Sequence, residues 1–171
     1  MTGHLSDEII ERARQLIGLY PHPRSALIPI CHLAQEQDGW LTPEAVDEIA
    51  EILGIAPAEV LGTASFYDML HTEPVGEYLV SICTNIACML RGAYEVYERF
   101  QEELGVGPKG VTPDGLFSVE EVECIGACCW APAVQVNYEF HDELKPDLVS
   151  GILDRYRDPN QDQKKNKEKN A

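Results

Sequence analysis

The chain has 171 residues, of which 44% are hydrophobic and 25% charged, values typical of a globular protein with a buried core. Its formal net charge of −16 argues against nucleic acid and anionic lipid as partners, because both would be repelled. The sequence has no secretory leader pattern and no apolar run of membrane-spanning length, so we expect no direct membrane insertion. We predict a cytosolic or cytosol-facing protein, in which cysteines stay reduced.

The first part of the chain is predicted to be a small helical bundle. Ser6 is placed to cap the first helix, and proline at position 21 stops it. A second helix is expected from about residue 25 to residue 38. The third begins after Thr42, with proline at its first position, and ends at Gly54.

A fourth helix is predicted to open at Pro57 and to extend towards Tyr67. The neighbouring aromatic side chains Trp40 and Phe66, together with Tyr67, are interpreted as part of the bundle core rather than as a cofactor site.

After Pro74 the pattern changes to alternating strands and helices. In chain order we predict a strand at 78–83, a helix at 88–104, strands at 116–123 and 132–140, and a last helix at 144–156. Leu90, Tyr94, Tyr97 and Phe100 are expected on one face of the longer helix. The order β-α-β-β-α behind a helical segment predicts an α/β (α+β) sandwich of thioredoxin type.

The predicted domain bounds follow from these changes of pattern. We assign residues 1–73 to the helical bundle and residues 74–156 to the sheet-containing domain. Residues 157–171 are polar and poor in apolar side chains, so they are expected to form a disordered tail.

Four of the six cysteines form two pairs, C-T-N-I-A-C at 83–88 and C-I-G-A-C at 124–128. Each pair begins where a predicted strand ends, so both loops are expected to converge on one edge of the sheet. Gly126 lets the second loop turn tightly beside a ligand. Such a set of thiolates can hold zinc or an iron–sulfur cluster, and the wide spacing favours the cluster without excluding a structural four-cysteine zinc module for protein interaction. A thiol-based redox enzyme is disfavoured, because the chain has no C-x-x-C motif.

The remaining cysteines and one glycine-rich motif are interpreted as structural. Cys31 and Cys129 are expected to be small buried side chains rather than ligands. The segment G-V-G-P-K-G at 105–110 fits a dinucleotide-binding pattern, but it follows a helix and leads towards a strand. We interpret it as a helix terminator and turn, so we expect any NADH or flavin site to lie on a partner protein.

The cysteine spacing and its flanks resemble the E subunit of NADH:quinone oxidoreductase, respiratory complex I. Further similar motifs occur in the same order: T-A-S-F-Y at 63–67, P-V-G at 74–76, T-P-D-G-L-F-S-V at 112–119 and V-E-C-I-G-A-C at 122–128. The resemblance covers about residues 10–155. It implies a thioredoxin-like [2Fe–2S] ferredoxin domain, with Cys83, Cys88, Cys124 and Cys128 as ligands of one cluster.

The resemblance also implies a role and a setting. The family transfers electrons beside a partner subunit that binds NADH and FMN, together with other peripheral-arm subunits at the cytoplasmic face of the inner membrane. Such a subunit belongs to an NADH dehydrogenase but is not catalytic alone. The equivalent diaphorase subunit of an NAD-linked hydrogenase or formate dehydrogenase is the alternative within the same class.

Overall fold

The computed structural model describes residues 3–158, and the chain divides into two compact units, Met1–Val75 and Gly76–Ala171. The first unit is helical and the second combines a four-stranded sheet with helices, which confirms the predicted α+β class. Arg157 is the last residue of the final helix, and residues 159–171 of the predicted tail lie outside the described residues. Between residues 3 and 158, no helix combines the length and apolar character needed to cross a membrane.

Four α-helices form the first unit, and their termini follow the capping residues. They are α1 (Asp7–Gly18), α2 (Leu27–Asp38), α3 (Pro43–Leu53) and α4 (Pro57–Ala64). Ser6 accepts a hydrogen bond from the Ile9 N–H, and Thr42 accepts one from the Ala45 N–H, as expected for N-caps. The second helix begins at Leu27 rather than residue 25, because a 3-10 turn, Pro23–Ala26, precedes it.

The core of this unit contains Cys31, as predicted, but not Phe66. Cys31 is fully buried, and its burial raises the pKa of the thiol to about 11. Phe66 is 79% exposed and Tyr67 36%, so the prediction that they pack in the core is wrong. The reason is that α4 ends at Ala64, and the turn that follows directs both rings away from the buried face.

Within residues 76–158, the second unit has four strands and three α-helices. They are β1 (Tyr78–Cys83), α5 (Ile86–Leu90), α6 (Ala93–Leu104), β2 (Phe117–Val122), β3 (Val134–Val136), β4 (Glu139–His141) and α7 (Val149–Arg157). The order in the sheet is β2-β1-β3-β4, and only β1 and β2 are parallel among these strands. Residues of β1 and β2, together with α6 and α7, form a buried core that includes Val80, Ile82 and Phe100.

The predicted helix at 88–104 is two helices. Gly92 adopts a left-handed conformation, with φ of 91°, and separates α5 from α6. Leu90 is 75% exposed and Tyr94 is also exposed, so they do not share the buried face of Tyr97 and Phe100. Gly105 ends α6 as expected, and the glycine-rich segment after it is a turn between α6 and β2.

The predicted strand at 132–140 is a hairpin of β3 and β4. Asn137 turns the chain with a positive φ of 51°. Its side-chain amide also extends the sheet: Oδ1 accepts a hydrogen bond from the Leu79 N–H at 2.8 Å, and Nδ2 donates one to the Glu77 carbonyl at 3.0 Å. A turn residue therefore fixes the beginning of β1.

We expect Asn137→Ala to destabilise the chain by about 2 kcal/mol, because it removes two hydrogen bonds and forces a Cβ-bearing residue without a polar side chain into positive φ. The free energy of unfolding in urea, followed by circular dichroism, measures the change. Tyr138→Ala is the matched control, since Tyr138 is 88% exposed in the same turn. Equal stability of the two variants would contradict the role of the amide.

Gly76 brings the chain against β2 just before β1. Its N–H donates to Ser118 Oγ at 3.1 Å, and Ser118 is buried. A Cβ at this position would lie 2.4 Å from the carbonyl carbon of Phe117, closer than such atoms approach. Only glycine fits here without moving the backbone.

Candidate metal centre

The two cysteine loops leave the same edge of the sheet. Cys83 is the last residue of β1 and lies opposite Val122, the last residue of the parallel strand β2. The Cys83 N–H donates to the Ala133 carbonyl at 3.1 Å, and the Thr84 N–H donates to the Val122 carbonyl at 3.2 Å. The carboxyl ends of both strands, and the loops that follow them, are therefore held side by side.

The first cysteine loop, as we call residues 83–88, runs from the last residue of β1 into α5, where Cys88 lies, and keeps its two thiols inside the protein. Cys83 is 3% exposed and Cys88 is 1% exposed, and both belong to a small buried cluster with Ala93 and Ala133. Burial raises the pKa of the Cys88 thiol, and a backbone hydrogen bond from Ala133 opposes that effect. The charges of Cys83 and Cys128 raise the pKa further.

The second cysteine loop, residues 124–128, exposes its thiols. Gly126 adopts a φ of 84°, a conformation that glycine favours, and its N–H donates to Cys124 Sγ at 3.3 Å. Cys128 opens a 3-10 turn, Cys128–Trp130. The backbone of this loop thus supplies a hydrogen bond to sulfur, as loops around iron–sulfur clusters do.

Cys88 is the candidate ligand whose surroundings link the two cysteine segments. The Cys88 thiol interacts electrostatically with both Cys83 and Cys128. Cys83 Sγ lies 3.9 Å from the carbonyl oxygen of Glu123, the residue before Cys124. The Cys124 thiol contacts Gly126 of its own loop.

The donor chemistry of this centre fits a [2Fe–2S] cluster. All six cysteines are free thiols, so none of the four candidates is withheld in a disulfide. In residues 3–158, no group of three or more His, Cys, Asp or Glu side chains is arranged to hold a single metal ion. A [2Fe–2S] cluster takes two of its four thiolates on each iron, so its ligands need not converge on one point.

Cys129 lies beside the centre but is exposed, so the prediction that it is buried is wrong. It occupies the middle of the 3-10 turn that begins at Cys128. Because such a turn has three residues per revolution, neighbouring side chains in it point in different directions. The sequence analysis placed these residues in an irregular loop and did not predict the 3-10 turn.

Two features of the centre go beyond the sequence predictions, which considered only Trp130 as a side chain that could shield the site from water. Four exposed apolar side chains, which we call the apolar rim, lie on the two elements that carry Cys88 and Cys128: Ile86, Met89 and Leu90 on α5, and Trp130 on the 3-10 turn. Thr84, next to Cys83, donates a hydrogen bond from Oγ1 to Glu121 Oε1 at 2.6 Å. The signal for this contact is the strand register, which no sequence pattern specifies residue by residue.

The chain matches the family of thioredoxin-like [2Fe-2S] ferredoxins over residues 13–157. The E subunit of the NADH-quinone oxidoreductase of Mycobacterium tuberculosis is 43% identical over 145 residues, covering 85% of this chain and 58% of the relative. NADH-quinone oxidoreductase subunit 2 of Thermus thermophilus is 47% identical over 116 residues, covering 68% of this chain and 64% of the relative. The chain therefore spans about six-tenths of the length of these two relatives.

A solved structure has a similar fold. A chain of an NAD+-reducing [NiFe]-hydrogenase superposes with a TM-score of 0.68 at 20% sequence identity. The match covers 77% of this chain and 23% of that chain. At this identity the similarity establishes the arrangement of helices and strands alone.

Proposed function

This chain belongs to the thioredoxin-like [2Fe-2S] ferredoxin family, and we propose that it is the electron-transfer subunit of an NADH:quinone oxidoreductase. The observation that carries the proposal is the placement of two cysteine loops at the shared carboxyl edge of β1 and β2. The names of the relatives at 43% and 47% identity support the choice of complex.

In this proposal, Cys83, Cys88, Cys124 and Cys128 ligate one [2Fe–2S] cluster, which supplies one-electron uptake and release when bound. The buried pair, Cys83 and Cys88, fixes the inner side of the site and excludes water from it. The exposed pair closes the site from outside, with the Gly126 N–H directed at sulfur. The helical bundle at 1–73 and the cluster domain at 74–156 are proposed as separate domains.

The proposed partner is a subunit that binds FMN and NADH, with other peripheral-arm subunits of the same complex beyond it. The exposed apolar side chains Ile86, Met89, Leu90 and Trp130 support a protein partner here, because they lie on the elements that carry Cys88 and Cys128 and exposed apolar patches mark interaction surfaces. We propose that the assembly lies at the cytoplasmic face of the inner membrane.

The proposal is tested on the full chain purified without oxygen. We expect about two iron and two acid-labile sulfide per chain, and an EPR signal after dithionite reduction, because a [2Fe–2S] cluster becomes paramagnetic on taking one electron. Metal analysis of the same sample measures zinc alongside iron.

Stoichiometric zinc without iron would reject the cluster and favour the structural four-cysteine zinc module. Copurification with native partners distinguishes the complexes: a quinone reductase partner set supports the proposal, and a hydrogenase or formate dehydrogenase set replaces it with the diaphorase alternative.

A further inference from the structure

We propose that Thr84 and Glu121 form a clamp that holds the two cysteine loops at a fixed separation and so slows loss of the cluster. The inference rests on the proposed function, because it takes the four cysteines as ligands of one cluster. Neither clamp residue is a ligand, and each acts by positioning the loop beside it.

The clamp joins the two strands at the point where both loops begin. Thr84 directly follows Cys83, and Glu121 stands three residues before Cys124. Thr84 donates twice to the end of β2: its N–H bonds to the Val122 carbonyl at 3.2 Å, and its Oγ1 bonds to Glu121 Oε1 at 2.6 Å. One residue of the first loop is therefore fastened by backbone and side chain to the strand that leads into the second.

The surroundings make this hydrogen bond strong. Thr84 is only 9% exposed, so water competes poorly for its hydroxyl. A hydroxyl that donates to a carboxylate forms a charge-assisted bond, which is stronger than a bond between neutral groups. Glu121 itself is exposed, and its charge is the second cause, after burial, of the raised pKa of Tyr97 in α6.

A cluster shared between two loops needs such a connection. Its ligands come from segments whose first residues, Cys83 and Cys124, are far apart in sequence, so motion of one loop relative to the other strains the metal–sulfur bonds. Supporting groups around a metal site fix ligand orientation, and their loss typically weakens metal binding by about 10–100-fold. The clamp is a supporting contact between the first loop and the strand that leads into the second.

The test uses the full chain carrying its cluster and follows decay of the visible absorption after addition of a chelator. We expect Thr84→Val to lose the cluster about tenfold faster than the unaltered chain, because valine keeps the shape but removes the hydroxyl. Thr84→Ser should restore the slow rate. The EPR spectrum of the reduced Thr84→Val sample should broaden as the ligands become less uniformly placed.

The chain provides a matched control on the same two strands. Ser81 Oγ donates to Glu120 Oε1 at 2.7 Å, a bond of the same chemistry, but Ser81 lies within β1 rather than in a loop. Ser81→Ala should leave the rate of cluster loss near that of the unaltered chain. Glu121→Ala removes the acceptor of the same hydrogen bond, and circular dichroism verifies that this variant folds. Combined with Thr84→Val, it should add no further acceleration, since both changes remove one interaction.

The experiment distinguishes failure of the proposed function from failure of the clamp. An unaltered chain without iron and sulfide rejects the proposed function, and the clamp with it. An unaltered chain with a stable cluster, whose Thr84→Val variant decays no faster than Ser81→Ala, overturns the clamp and leaves the proposed function standing. Additive acceleration by Thr84→Val and Glu121→Ala would also overturn it.

Discussion

Cys128→Ala is expected to abolish normal cluster binding, whereas Cys129→Ala is expected to leave it intact. Cys128 shares the centre with Cys88, whose pKa responds to its charge, and alanine provides no atom that can ligate iron. We expect the iron content of Cys128→Ala to fall at least about tenfold, since even outer contacts of metal sites are worth that much. Substitution of the two adjacent cysteines should therefore affect cluster binding differently.

Cys129→Ala is the control for this change. The residue is exposed, and substitutions at exposed positions away from specific contacts usually change stability by less than about 0.5 kcal/mol. Iron, sulfide and the EPR spectrum of each variant measure the difference, with circular dichroism to verify folding. Loss of the cluster in Cys129→Ala but not in Cys128→Ala would show that the ligand has been assigned to the wrong neighbour.

The second large effect is expected at Gly76, where no cofactor is involved. Gly76→Ala places a Cβ 2.4 Å from the Phe117 carbonyl carbon and 2.7 Å from the Ser118 nitrogen, so backbone must move. The same movement strains the hydrogen bond from the Gly76 N–H to Ser118 Oγ. Overpacking against backbone of a buried strand should destabilise the chain by about 3 kcal/mol.

Gly107→Ala is the matched control in the same unit, because a Cβ there meets no atom within 4 Å. Unfolding in urea measures both variants, and we expect Gly107→Ala to stay close to the unaltered chain. If Gly76→Ala were equally stable, the close approach of this segment to β2 would be incorrect.

Much of the fold follows from local patterns. Ser6, Thr42 and Gly54 mark helix ends correctly because capping acts within a few residues, and β1 is found at its observed bounds from its β-rich run. The errors arise where a single residue changes the direction of the chain. Gly92 divides a helix and Asn137 divides a strand, and in both cases the apolar pattern continues through the break.

The sequence also predicted some features of the candidate site and missed others. The spacing of Cys83, Cys88, Cys124 and Cys128 predicts a shared centre, and the parallel pairing of β1 with β2 supplies the arrangement that the prediction requires. The assignment of these four as ligands stays a prediction, which the iron and sulfide content of cysteine variants tests. The exposure of Cys129 and the Thr84–Glu121 contact depend on three-dimensional placement, which side-chain periodicity does not contain.

The parallel pairing of β1 and β2 has a further consequence, for the order of events during biogenesis. Parallel strands require a crossover, here α5 and α6, and contacts between segments distant in sequence form slowly because a long loop must close first. The two pairs of cysteines are therefore not yet close together in a newly synthesised chain. If the four cysteines bind one cluster as proposed, iron and sulfide delivered before the crossover is complete meet only one pair, and we expect cluster insertion to follow folding of the sheet.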